Sequence, residues 1–214
     1  MNRRQDGVFF GRPVLPVHHQ HETMATTGIA TDCEEQLLRR MQSGDATASR
    51  AVYNRYVRYL SAIVSRYITN DEDIKDVLQE SFLKIFSSIA TFTYRGDGSL
   101  KGWMSKIVLN ETLRHIRNSG RTLLTELTPD NIDTADDEPE TDDIPSGVIY
   151  NMIRDLPEGY RVVFNLYVIE GKSHKDIAAM LNIKENSSAS QLHRAKAMLA
   201  AKINHYRKNN SASL

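Results

Sequence analysis

The chain has 214 residues, balances 27 Lys and Arg against 27 Asp and Glu, and contains one cysteine. That length accommodates one large domain or two small ones, each with a modest core. No apolar run approaches the roughly twenty residues that cross a bilayer, and the start lacks a secretory apolar segment, so a cytoplasmic protein without membrane insertion is expected. The lone Cys33 excludes an internal disulfide and a cysteine-rich zinc site.

Residues 1–31 hold glycines, prolines and "HHQHE" without sustained periodicity and read as a mobile N-terminal tail, in which Met24 offers a second candidate first residue. His18, His19 and His21 lie on no rigid scaffold that would fix a coordination geometry, so a solvated tail outweighs a metal site. Neither a metal nor a cofactor is expected.

From 32 to 122 the pattern is helical throughout. "CEEQLLRRMQSGD" predicts a short helix with Leu37, Leu38 and Met41 inward, stopped near Gly44. A longer one follows from about Ala46 to Ile68, burying Val52, Tyr56, Leu60, Ile63 and Tyr67. Asn70 is suited to cap a third helix whose first turn, Asp71, Glu72 and Asp73, complements the helix dipole. Its inward stripe is Ile74, Val77, Leu78, Phe82, Ile85, Phe86 and Ile89. On the opposite side Asp76, Gln79, Glu80 and Leu83 line up, and a leucine exposed beside two acids points to a protein contact.

The loop "TFTYRGDGS" interrupts the helices, and a fourth helix runs from about Leu100 to Asn118 with Leu100, Trp103, Met104, Ile107 and Val108 buried. Lys106, Asn110, Arg114, Arg117 and Arg121 recur at spacings of four, four, three and four, and Glu111 falls on another side. At 1.5 Å per residue this basic stripe is about 22 Å long, near two-thirds of a DNA turn. Phe92, Tyr94, Arg95 and Lys101 add an aromatic and basic mixture fit either to hold unstacked bases or to pack on the core.

Residues 123–147 contain nine Asp or Glu and no Lys or Arg, leaving 18 acids against 27 bases elsewhere. With three prolines and few large apolar residues, this segment is expected to be a flexible acidic linker. Its 25 residues reach about 80 to 90 Å when extended, enough to join two DNA sites about two helical turns apart only if stretched.

Residues 148–208 read as a second helical domain, followed by a tail over 209–214. Helices are expected at Val148 to Leu156 and Tyr160 to Glu170. Ser173 suits the cap of a helix with Ile177, Ala178 and Leu181 inward, and Asn182 suits a left-handed stop. A last helix starts near Asn186 with only Ser188, Leu192, Ala195 and Leu199 buried. That arrangement predicts a helix-turn-helix whose outer face reads DNA. Its candidate contacts are Lys184, Asn186, Ser187, Ser190, Gln191 and Arg194, Gln suiting adenine and Arg suiting guanine or phosphate. A plain helical hairpin with a solvated face remains the alternative at this point.

Two stretches carry a resemblance. "DEDIKDVLQESFLKIF" with "GSLKGWMSKIVLNETLRHIR" resembles the core domain of bacterial sigma factors, and "LPEGYRVVFNLYVIEGKSHKDIAAMLNIKENSSASQLHRAKAML" resembles their promoter-reading domain. Order and spacing are similar to the extracytoplasmic-function (ECF) group, over about 32 to 205. The resemblance implies an all-α fold of two small helical domains, a four-helix sigma core domain and a helix-turn-helix domain. It further implies that Asp76, Gln79, Glu80 and Leu83 dock on the coiled coil of the largest subunit of core RNA polymerase. Tyr94, Arg95, Lys101, Trp103, Lys106, Asn110, Arg114, Arg117 and Arg121 would serve the minus-ten element of promoter DNA, and the last helix the minus-thirty-five element. An anti-sigma factor is an implied partner. The chain departs from the family at Ala189 and Gln191, where basic residues are common, and at Ser188, where an apolar one is.

No glycine-rich phosphate loop and no nucleophile, base and acid set emerge from the spacing, so no enzyme and no small-molecule substrate are expected. Two competing readings are a stand-alone helix-turn-helix regulator that binds duplex DNA as a dimer and a protein that uses its helices only to bind other proteins.

Overall fold

The computed structural model describes residues 33–119 and 143–211, which form two compact units. The tail calculated from sequence over 1–31, most of the acidic linker, Arg121 and residues 212–214 lie outside the described residues. Among those described, all regular structure is helical.

The first unit contains α1 (Glu34–Gln42), α2 (Ala46–Val64), α3 (Asp71–Ser88) and α4 (Ser99–Asn118). Each boundary has a local cause. Gly44, at φ +86°, supplies the left-handed turn after α1. Asn70 accepts from the amides of Glu72 and Asp73, so α3 begins where the cap pattern predicts. The expected stripe of α2 is buried in full, down to Tyr67 beyond its end. In α3, Leu78 and Phe86 are half-buried and Ser81 is enclosed, its hydroxyl donating to the Val77 carbonyl. α4 packs on α2 and α3 through Leu100, Met104 and Val108, and also Leu109, Leu113 and Ile116. Trp103 and Ile107, expected inside, are half-buried.

Asp45 caps α2, accepting from the Thr47 amide at 2.8 Å, the Thr47 hydroxyl at 2.6 Å and Arg40 Nε at 2.9 Å. The Thr47 hydroxyl and the Arg40 guanidinium hold this carboxyl well below its ordinary value of 3.8. A depressed folded-state value means the cap contributes fully above that ordinary value and is lost as pH falls through the folded one. Asp45→Asn is therefore expected to lower the melting temperature at neutral pH. The gap to wild type should close as pH is stepped down from 3.8 in a series of melts.

The second unit contains α5 (Ser146–Arg154), α6 (Glu158–Phe164), α7 (His174–Leu181) and α8 (Glu185–Ser211). One wider turn, Asn165–Ile169, continues α6. α8 packs on α5, α6 and α7, and Phe164, Leu166, Ile177, Leu199 and Ile203 fill the space between them. Arg161, 6% exposed, donates to the Arg154 and Leu156 carbonyls and so closes the C-terminal end of α5. α5 starts two residues before the expected domain edge at 148, and α8 runs to Ser211, into the expected tail. Arg207 on α8 pairs with Asp143 at 2.7 Å, holding that carboxyl below its ordinary range.

Candidate nucleic-acid interface

The loop before α4 is tied down from several directions. Gln42 Nε2 donates to the carbonyls of Ile89 at 3.1 Å and Phe92 at 2.9 Å. Phe92 packs on Trp103 with ring centroids 4.8 Å apart, and both rings are half-buried. Tyr94 Oη donates to Asp97 at 2.7 Å, and this acceptor pushes the phenol up to about 12. Gly96 at φ +107° and Gly98 at φ +83° take left-handed conformations that side chains rarely adopt. Arg95, immediately before Gly96, is exposed.

Lys101 is half-buried, with its ammonium 4.0 Å from the centroid of the Tyr59 ring. Further along α4, Lys106, Asn110, Arg114 and Arg117 are all exposed and form the described part of the stripe. Glu111 is off this face, as expected, but it is not isolated from it. At 4% exposure it pairs with Arg114 of the stripe and, at 2.7 Å, with Lys84 of α3. Arg114 is thereby held through its guanidinium while its side chain stays 54% exposed.

On α3, Asp76, Gln79, Glu80 and Leu83 are all exposed, Leu83 at 57%. Among the described residues the only other exposed large apolar side chain is Tyr53 of α2, whose ring lies 4.6 Å from that of Phe82. No local pattern had singled out Tyr53, since its exposure follows from the way α2 meets α3.

In the second unit the expected turn is present. Ser173 and Asp176 cap α7 reciprocally, Asp176 held below the ordinary carboxylate range mainly by the Ser173 hydroxyl. Asn182 stands at φ 56°, ψ 47° and reverses the chain. Ser188, Leu192, Ala195 and Leu199 form the buried line of α8. Ser188 is accommodated by a polar partner, His174 Nδ1 at 2.9 Å, with the His174 ring stacked on Tyr167.

Lys184, Asn186 and Ser190 are exposed and Ser187 is half-buried, whereas Gln191 departs from the expectation. It is 6% exposed and belongs to the inner side of α8, not the outer row. The reason is angular: three residues after Ser188, four before Ala195 and adjacent to Leu192, it falls at the edge of the line that faces α6 and α7. His193 and Ala189 are exposed on the outer side instead. Arg194 is half-buried and donates to Tyr160 Oη at 3.3 Å. Two anchoring groups, Tyr160 for Arg194 and Tyr59 for Lys101, escaped the sequence reading because their partners lie on other helices.

The profile described as Sigma-70 region 2 matches residues 52–122, and that of Sigma-70, region 4 matches 146–199. The ECF RNA polymerase sigma-E factor of Haemophilus influenzae is 30% identical over 183 residues, covering 79% of this chain and 95% of the relative. The sigma-E factor of Escherichia coli K12 is 26% identical over 190 residues, with 79% and 94% covered. Among solved structures, CnrH in complex with the cytosolic domain of CnrY is similar at 22% identity and a TM-score of 0.43, spanning 81% of this chain and 99% of that one.

Proposed function

Because the chain belongs to the ECF-type sigma factors of the sigma-70 family, we infer that its open faces divide between two partners, core RNA polymerase and promoter DNA. As an alternative sigma factor, it binds core RNA polymerase and directs promoter-specific initiation, and the catalysis of RNA synthesis belongs to the polymerase. Such work is done in the cytoplasm, and among the described residues no helix is long and apolar enough to cross a membrane.

In this reading the first unit meets both partners. Asp76, Gln79, Glu80 and Leu83 form the polymerase face. The loop with Tyr94 and Arg95, together with Lys101, Trp103, Lys106, Asn110, Arg114, Arg117 and Arg121, receives the minus-ten element. The α8 face with Asn186, Ser187, Ser190 and Arg194, together with Lys184 just before the helix, addresses the minus-thirty-five element, and the buried Gln191 supports that helix from behind. The domain boundaries follow the same division: sigma core domain over 32–122, then the linker, which ends at 145 rather than 147 because α5 begins at Ser146, then the helix-turn-helix domain. Family membership also leads us to expect an inhibitory anti-sigma partner.

The observation that carries this reading is that Lys106, Asn110, Arg114 and Arg117 stay exposed in one row while the acid among them is buried. The test mixes the purified chain with core polymerase and a promoter library. Run-off transcripts that require the chain support it, and tight sequence-specific duplex binding by the chain alone, without transcripts, points to the stand-alone regulator.

Each phosphate contact contributes about 0.7 to 0.9 to the slope of log affinity against log salt. Changing Lys106 and Arg117 together to Ser is therefore expected to flatten that slope for holoenzyme on promoter DNA by about 1.4 to 1.8. Arg114 is left intact in this variant because its loss would disturb Glu111. An unchanged slope would remove the stripe from the interface.

A further inference from the structure

Glu34 opens α1 and is 7% exposed, yet it has no part in the readings above. Its partners lie far along the chain. Oε1 accepts from the Leu100 amide at 2.6 Å, across 66 residues, and Oε2 accepts from the Gly98 amide at 3.1 Å, across 64. Tyr56 Oη of α2 donates to Oε2 at 3.4 Å.

The need for this carboxylate begins at Gly98. It is the N-cap of α4, and at φ +83° it has no side chain with which to satisfy the first amides of that helix. Those amides carry the positive end of the helix dipole and demand an acceptor when water is excluded. A buried carboxylate makes the reciprocal demand for donors. Each need answers the other, so the end of the loop over 92–98 and the start of α4 are pinned to α1.

We propose that Glu34 is the positioning residue that sets the loop with Tyr94 and Arg95, and the first turn of α4 with Lys101, to receive an unstacked promoter base. This rests on the reading of that loop as the minus-ten site. Glu34 touches no DNA in this scheme. It acts by fixing two backbone amides, and a displacement on the order of 1 Å at such a point is enough to spoil a contact that depends on alignment.

The test uses holoenzyme assembled from the full chain and core polymerase, with a pool of short randomised single-stranded DNAs as probe. Retained strands are sequenced, and retention is repeated across salt. Glu34→Gln keeps the shape of the side chain but turns one acceptor oxygen into a donor facing a donor amide, and it removes the charge opposite the dipole. Its expected effect is a loss of about tenfold in preference at the favoured position, the scale of one stacked base, with the salt slope of retention unchanged. Tyr56→Phe removes only the third donor and is expected to retain the preference, even where its melting temperature falls as far as that of the Gln variant. Preference surviving in Glu34→Gln overturns the proposal. So does a joint fall of preference and salt slope in both variants, which would mark a general loss of fold. A wild-type holoenzyme that retains strands without any preference overturns the reading of the loop, and this inference with it.

Discussion

Run-off transcription is expected to fall to background when Gln79 becomes Ala and Glu80 becomes Arg in the same chain. Both side chains stand exposed on α3, on the side away from Ile74, Val77, Phe82 and Ile85, which fix the helix to its core. Surface substitutions of this kind ordinarily change stability by no more than about 0.5 kcal/mol, so melting should be nearly unchanged. Binding is another matter. Truncating or reversing a central interface residue costs about 2 to 4 kcal/mol, or about 30-fold to 1,000-fold in affinity. A new positive charge against a partner that complements Asp76 and Glu80 adds repulsion to that loss. The check is a titration of core polymerase with wild-type and variant chains, read by transcript yield, beside thermal melts of each. Full transcription by the double variant would move the polymerase face elsewhere.

The second large effect is on stability and comes from Glu111. Lys84 and Arg114, its two recorded ion-pair partners, are individually 56% and 54% exposed, so either pair alone resembles a surface salt bridge of modest value. Glu111 itself is 4% exposed, and together the two cations are what compensates its charge. Lys84→Ala combined with Arg114→Ala is expected to leave a buried carboxylate without a countercharge, at a cost of about 3 to 5 kcal/mol. For a unit of this size that lowers the melting temperature by more than about 12 °C. Each single change should cost far less, because the remaining cation still serves, so the double-mutant cycle should show strong non-additivity. Glu111→Gln, which removes the charge and keeps the shape, is expected to be milder than the double change. Additive losses below about 1 kcal/mol would mean that Glu111 is adequately solvated.

Much of the fold was legible because helices announce themselves locally. The stripes of α2 and α3, the Asn70 cap, the Ser173 and Asp176 box and the left-handed Asn182 are all settled by spacings of a few residues, and they recur in the structure with Leu78 and Phe86 of α3 only half-buried. The exposed row of Asp76, Gln79, Glu80 and Leu83 and the open basic row follow from the same periodicity. The boundaries were less legible, since α8 continues to Ser211 with no residue in its last turns that stops it.

Gln191 marks the limit of that kind of reasoning. A helical projection assigns a residue to an angle, and at the edge of a stripe the angle does not say whether a neighbour covers it. In this chain the packing of α8 on its neighbours decides that Gln191 is inside and His193 outside. The same holds for Tyr53, exposed by the crossing of α2 and α3, and for Tyr160, which holds Arg194 from another helix.

By itself the sequence determined which segments are helical, where they are capped, which row is basic and which family the chain resembles, because each of these is written in residues a turn or two apart. Only the tertiary structure decided that Glu34 reaches across the unit to Gly98 and Leu100, that Glu111 is shared between Lys84 and Arg114, and that Gln191 faces inward. Those are contacts between separate helices. Their geometry depends on how whole elements pack, a quantity that no local spacing encodes.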